Sequence, residues 1–339
     1  MRTSTVAASL ASLALAAALS VACGGPPKPA NDPPPAASDA EPAGPPDVPA
    51  SKADGDIAAA EAALKDGDAA RAKKAAEAAL AKDEKSSKAH YYAAVAGEAL
   101  GDKEGAEKHY RRALELSPTL SDAAVNLSAL LLDAGRAADA AAVLKPLAGK
   151  GDPLVAANYA AVLAASGDHP GALAAYETAV KGGGAKDLRV RLGYAHELVK
   201  AARKDDAAKT LREGTSGLPD DRDLLAAMAR GLAEAGAYDD AIKTIDRAIK
   251  LKSSPDLLLY RALFRRGSKD PAGAKTDLEA AIAADAKLVP AYVYLGEVLE
   301  ELKKPADAKK AYEKAIEIGG DSPPAKKARE RLEALKGKK

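Results

Sequence analysis

Tryptophan is absent from this 339-residue sequence, phenylalanine occurs once, and aromatic residues make up only 4%. A sheet core is thereby disfavoured, because strands draw on β-branched and aromatic side chains. Abundant alanine with Leu, Ile, Val and Tyr suits close-packed helices instead. The single cysteine, Cys23, excludes a disulfide within the chain. An excess of one charge is also lacking: 50 Lys and Arg face 49 Asp and Glu. They alternate at i, i+3 and i+4 spacings that read as solvated helix faces, which argues against nucleic acid as a partner. The one basic cluster is C-terminal, with Lys326, Lys327, Arg329, Arg331, Lys336, Lys338 and Lys339. It reads as the wet face of a terminal helix, whose C-terminal dipole favours cations, with an anionic partner as the competing reading.

Residues 1–22 have the parts of an export signal: Arg2, an apolar run from Val6 to Leu19, then small residues before Cys23. Leu19, Ser20, Val21, Ala22 and Cys23 resemble a lipobox, where bacterial lipoproteins are cut and the new N-terminal cysteine is acylated. Ser20 stands where that motif usually carries an aliphatic residue. Ser20 and Ala22 also fit ordinary signal peptidase, which would release a soluble periplasmic or secreted protein beginning at Cys23. The lipobox resemblance implies lipidation at Cys23. Gly24, in place of a retaining Asp, implies the outer membrane with the chain facing the periplasm. From Gly24 to Ala50 there are ten prolines and almost nothing large to bury. Residues 23–52 are thus expected to be an anchor and a disordered tether, reaching about 3.1 Å per residue if extended.

Blocks of 32 to 35 residues bring small residues into one column: Ala72, Ala106, Ala140, Ala172, Ala207, Ala241, Ala274 and Ala308. Four residues later stand Ala76, Tyr110, Leu144, Tyr176, Leu211, Ile245, Leu278 and Tyr312. Three further on, small residues return at Ala79, Ala113, Ala179, Ala248, Ala281 and Ala315, with Leu147 and Gly214 as departures. Upstream, Tyr292, Leu295, Gly296 and Leu299 form one set, Leu192 and Gly193 repeat part of it, and Ala94, Ser128, Ala160, Ala229 and Ala262 keep the glycine slot small. This resembles the tetratricopeptide repeat (TPR), a helix hairpin with a small residue where its helices cross and a large one filling the gap. The resemblance implies an all-α fold: a right-handed superhelical α-solenoid of about eight hairpins, at 53–86, 87–120, 121–152, 153–185, 186–221, 222–254, 255–288 and 289–322.

Pro170, Pro271 and Pro305 are placed for the first turn of second helices, and Pro153, Pro255 and Pro290 for first helices, where a missing N–H costs nothing. Gly101, Gly135, Gly167 and Gly236 mark ends of first helices. Pro146 lies inside a second helix, which predicts an early end near Lys145–Ala148 and a local change of twist. The stretch from Glu197 to Ala207 carries about two extra residues and predicts a longer turn. The alanine-rich first block reads as a frayed N-terminal cap. Residues 323–339 read as a charged capping helix, ending near Lys336, with Ala328, Leu332 and Leu335 on its apolar face, followed by a basic tail.

Signals of chemistry are weak. His196 and Glu197 begin an HExxH-like pattern, but Lys200 replaces the second histidine. His90, His109 and His169 show no i, i+4 pairing, so no metal or cofactor is expected and surface or interhelical roles are. Gly182, Gly183 and Gly184 precede no GKS or GKT and read as an inter-repeat loop. An enzyme is not expected.

By the family's register the concave groove is lined from first helices. Position 5 is Tyr91, Val125, Ala157, Val190, Ala226, Leu259 and Val293. Position 9 is Val95, Ala129, Ala161, Tyr194, Arg230, Leu263 and Glu297. Asn126 and Asn158, at position 6, are placed to hydrogen-bond a bound backbone. The lysines and asparagine of a carboxylate clamp are missing from these slots. Ordinary inter-repeat packing is the competing role for each. The site expected to bind a partner peptide or helix is therefore Tyr91, Val95, Asn126, Asn158, Tyr194 and Arg230. The resemblance implies a non-enzymatic scaffold for other envelope proteins, with a periplasmic chaperone for envelope, pilus or secretion assembly, or a regulator of cell-wall enzymes, as alternatives.

Overall fold

The computed structural model describes residues 53–215 and 221–336. The expectations for the export signal, Cys23, the tether and the basic tail at 337–339 lie outside them. Among the described residues there are seventeen α-helices, one 3-10 turn and no strand, and no helix is long and apolar enough to cross a membrane.

Two compact units divide the chain after Gly182. The first holds four hairpins: α1 (Asp54–Lys65) with α2 (Ala69–Lys82), α3 (Ser87–Ala99) with α4 (Lys103–Leu116), α5 (Ser121–Asp133) with α6 (Ala137–Ala148), and α7 (Pro153–Ala165) with α8 (His169–Lys181). The second holds four more: α9 (Leu188–Lys200) with α10 (Lys204–Thr215), α11 (Arg222–Glu234) with α12 (Tyr238–Leu251), α13 (Pro255–Gly267) with α14 (Pro271–Ala284), and α15 (Val289–Glu301) with α16 (Pro305–Gly319). The final helix α17 (Pro323–Lys336) packs on α16 and α15. Each unit is an α-solenoid stack.

Every alanine of the first small-residue column is 0% exposed. With no side chain beyond Cβ, second helices come close to first helices, and the large residue one turn later fills the space beside the crossing. Tyr110, Leu144, Leu211, Ile245 and Tyr312 are all 0% exposed. Gly296 lies under Tyr312 so closely that an added Cβ would collide with its ring. In the N-terminal hairpin, by contrast, Ala60, Ala63, Ala72, Ala76 and Ala79 form the core, so each contact removes little apolar area from water.

The turn inside each hairpin is three residues long in all eight cases. Its middle residue is left-handed throughout: Gly67, Gly101, Gly135, Gly167, Ala202, Gly236, Lys269 and Lys303. The third residue's N–H reaches back to a carbonyl of the last turn, as from Asp102 to Gly97 at 2.9 Å and from Lys304 to Leu299 at 2.8 Å, which closes a Schellman-type cap. In Asp68, Asp102, Asp168 and Asp270 that same residue caps the next helix through its carboxylate. The stretch around Ala201–Arg203 is thus an ordinary turn, contrary to the expectation of a longer one. Added residues lie between hairpins instead, at 182–187, where a 3-10 turn spans Gly184–Lys186.

Three of these left-handed positions carry a Cβ, which clashes with the neighbouring carbonyl and costs about 1 kcal/mol. Ala202→Gly, Lys269→Gly and Lys303→Gly are each expected to stabilise by up to about 1 kcal/mol, partly offset by glycine's unfolded-state entropy. Urea unfolding of the single and triple variants measures this. A triple variant no more stable than the parent would show that the turns relieve the strain another way.

Pro146 sits within α6, which runs two residues past it and stops at Ala148. Near the C-terminus only the bond to the carbonyl one turn back is lost, so the proline is tolerated but the helix goes little further. The capping helix buries Ala325, Ala328 and Leu332, with Leu335 packed beside them. Much of its basic face is paired internally: Lys327 with Glu297 at 2.7 Å, Arg331 with Glu300 at 2.8 Å and Arg329 with Asp321 at 3.3 Å.

Candidate functional site

In the first unit, Tyr91, Val95 and Asn126 were expected to face a groove, but they are 7%, 5% and 2% exposed. The close approach allowed by the small residues draws positions 5, 6 and 9 of α3 and position 6 of α5 into the core, while Val125 and Ala129 of α5 stay half-buried. Tyr91 packs edge-on against Tyr92, with ring centroids 5.2 Å apart, and lies 6.2 Å from Tyr110. The Tyr110 hydroxyl donates to Glu98 at 2.9 Å and accepts from the Asn126 amide at 3.3 Å. Burial pushes the Tyr91 and Tyr110 hydroxyls well above their ordinary 10.0. It also raises the Glu98 carboxyl above its ordinary 4.5, against the bond from Tyr110. These residues form a buried polar cluster that fixes the pairing of α3, α4 and α5, and the Asn126 Oδ1 within it has no hydrogen-bond partner. Asn158 is half-buried, and its amide donates to the Leu154 carbonyl of its own helix at 2.8 Å.

The first helices of the second unit keep larger side chains at their surface. Tyr194 and Arg230 are half-buried, and the Arg230 guanidinium lies over the Tyr260 ring, 5.6 Å from its centroid. Tyr260 stacks on Phe264 with ring planes 17° apart. Further along, Lys327 of α17 lies 5.1 Å from the Tyr294 centroid. Burial works to raise the Glu297 carboxyl, but Lys327 and Arg266 outweigh it and hold it below its ordinary 4.5. Half-buried aromatic rings beside cations, as at Tyr260 with Arg230, offer large contact area of the kind found in binding hot spots, whereas Lys327 is already paired with Glu297. Tyr92, Tyr260 and Tyr294 occupy the register slot of Asn126 and Asn158. These tyrosines add to the expected site residues, and only their shared column with the asparagines marks them in the sequence.

His196 Nδ1 lies 3.4 Å from a Glu234 carboxylate oxygen, Glu197 is 2% exposed, and Lys200 Nζ is 4.0 Å from Glu197. The HExxH-like segment is therefore part of helix packing. No group of three metal-ligating side chains occurs among the described residues. His90 and His109, which no helical spacing connects, nevertheless meet: their Nδ1 atoms are 2.9 Å apart.

Eight helical hairpins with small residues at every crossing define a helical-repeat protein. The family model for the tetratricopeptide repeat matches residues 57–121, 192–257 and 257–323, more than half of the chain, and the chain belongs to that family. Its fold is similar to the C-terminal part of a TPR protein from Cytophaga hutchinsonii, with a TM-score of 0.50 at 15% identity over 80% of this chain and 98% of that one. A TPR protein from Parabacteroides merdae aligns with a TM-score of 0.49 at 16% identity over 69% of this chain and 93% of that one. No curated protein sequence matches significantly. Repeats of this family serve protein–protein interaction, and that much holds for this chain.

Proposed function

We propose that this protein is a non-enzymatic scaffold of the bacterial cell envelope, anchored by lipid at Cys23 and binding a segment of another envelope protein along its first-helix faces. The observation that carries the binding reading is that Tyr194, Arg230, Tyr260 and Tyr294, all on first helices of the second unit, are half-buried, with Arg230 over Tyr260. Such side chains bury large area at low entropic cost, and arginine and tyrosine dominate binding hot spots. The anchor rests on the lipobox-like Leu19–Cys23 stretch and the proline-rich tether behind it. Several acyl chains would hold the protein firmly, where a single chain binds only reversibly.

In-cell crosslinking with mass spectrometry, comparing the parent with a Tyr194→Ala, Arg230→Ala double variant, tests the binding reading. A scaffold is expected to lose one defined partner by at least about tenfold, equivalent to about 1.4 kcal/mol. Loss of many partners together would favour a chaperone, and no loss would remove the site. Metabolic labelling with a palmitate analogue should mark the parent but not Cys23→Ala, and an unlabelled parent would remove the anchor.

A further inference from the structure

Resting on the first-helix binding reading above, we infer that Arg230 takes the carboxylate of an aspartate or glutamate side chain within an otherwise apolar segment of the partner. Arg230 lies on α11, half-buried, with its guanidinium over the Tyr260 ring of α13. Among the described residues it makes no hydrogen bond and no ion pair. A ring face attracts the charge but leaves the in-plane N–H groups without an acceptor, so in the free protein they turn to water.

In this Arg230 differs from its neighbours. The other arginines on first helices of the second unit, Arg189, Arg191, Arg222, Arg261, Arg265 and Arg266, each meet a carboxylate oxygen at 2.5 to 3.5 Å. Glu234, one turn further along α11, does not serve Arg230 and lies 3.4 Å from His196 instead. The planar fork of Arg230 is thus left open, and its chemical complement is a carboxylate, which accepts both of its parallel N–H bonds.

The packing prepares that fork for binding. Phe264, 5% exposed, stacks on Tyr260 with ring centroids 6.4 Å apart, so the ring beneath Arg230 is itself held. A guanidinium resting on a held ring loses little side-chain freedom when a partner arrives. Partly out of water, it also attracts a carboxylate more strongly than a fully solvated arginine would. Placement decides which carboxylate. Helix α11 packs against both α9 and α13, and Tyr194 of α9 shares the register slot of Arg230. A segment crossing these helices meets the fork along its length and not at its end, so the carboxylate belongs to a side chain. A terminal carboxylate would need the further donors of a clamp, whose lysines and asparagine are missing from these slots.

A peptide library displayed inside a phage coat protein, with both peptide ends fused, and panned on the purified full chain supplies the probe. The selected peptide, amidated at its C-terminus, is compared with a copy in which Asn or Gln replaces its acidic residue. Fluorescence polarisation then measures both against the parent, Arg230→Gln and Arg230→Lys. The parent should bind the neutral copy about tenfold or more weakly than the acidic peptide, and Arg230→Gln should bind the two within about twofold of each other. Arg230→Lys should fall between, because an ammonium keeps the charge and loses the fork. Equal binding of the neutral copy by parent and variants shows that the substitutions leave the fold intact. Selected peptides with no acidic residue, or an acidic residue whose loss weakens parent and Arg230→Gln alike, would overturn the arginine site and leave the scaffold reading standing. Failure to select any peptide would overturn it as well, and an unchanged crosslinking pattern for Tyr194→Ala, Arg230→Ala would then remove the underlying reading too.

Discussion

Tyr312→Ala is expected to destabilise the C-terminal hairpin by about 4 kcal/mol, the range for truncating a fully buried aromatic side chain. The ring is 0% exposed and occupies the gap beside Gly296, whose lack of a side chain leaves that side of the space empty when the ring is removed. Its hydroxyl donates to Glu300 at 2.6 Å, and Arg331 of the capping helix holds the same carboxylate at 2.8 Å. One side chain therefore joins α15, α16 and, through Glu300, α17. Tyr312→Phe removes only the hydroxyl and should cost about 1 kcal/mol, since Glu300 keeps Arg331. Because repeat stability is a sum over nearest neighbours, urea unfolding of Tyr312→Ala should show an early transition confined to 289–336, readable by hydrogen exchange. Equal effects of the two substitutions would mean that the hydroxyl network, not ring packing, holds this end.

Asp277→Ala should cost about 3 kcal/mol, at the low end for breaking a buried ion pair. The Asp277 side chain is 3% exposed and receives two bonds from Arg261, at 2.6 and 2.9 Å, with Arg265 3.0 Å away. The loss stays at the low end because Arg261 retains Asp246 at 2.7 Å and Arg265 retains the Gly273 carbonyl at 3.2 Å. Removing Glu107, by comparison, breaks pairs with Arg111 and Arg136 whose side chains are 43% and 42% exposed. That should cost no more than about 1 kcal/mol and depend on salt. Denaturant unfolding at low and high salt distinguishes the two cases. An Asp277→Ala loss that vanished in high salt would place this network at the surface.

The hairpins themselves were legible in the amino-acid order because their signals are local and periodic. A small residue every 32 to 35 positions, a large one four later, and proline at first turns are each decided by neighbours on one helix or its partner. The capping helix was readable for the same reason. Less accessible was the slot at 202, 269 and 303, where turn geometry repeated throughout the stack forces a left-handed backbone on Ala and Lys. Register alone likewise could not say that Tyr91, Val95 and Asn126 are buried while Tyr194 and Arg230 are only half-buried.

Helix order and crossing residues follow from periodic pattern, since hydrophobic burial and backbone geometry act over a few residues at a time. The His90–His109 contact and the Asp277 network join residues 15 to 19 apart on different helices. Whether such side chains meet depends on how closely and at what angle two helices pack, and that is fixed only once the hairpins have closed on one another.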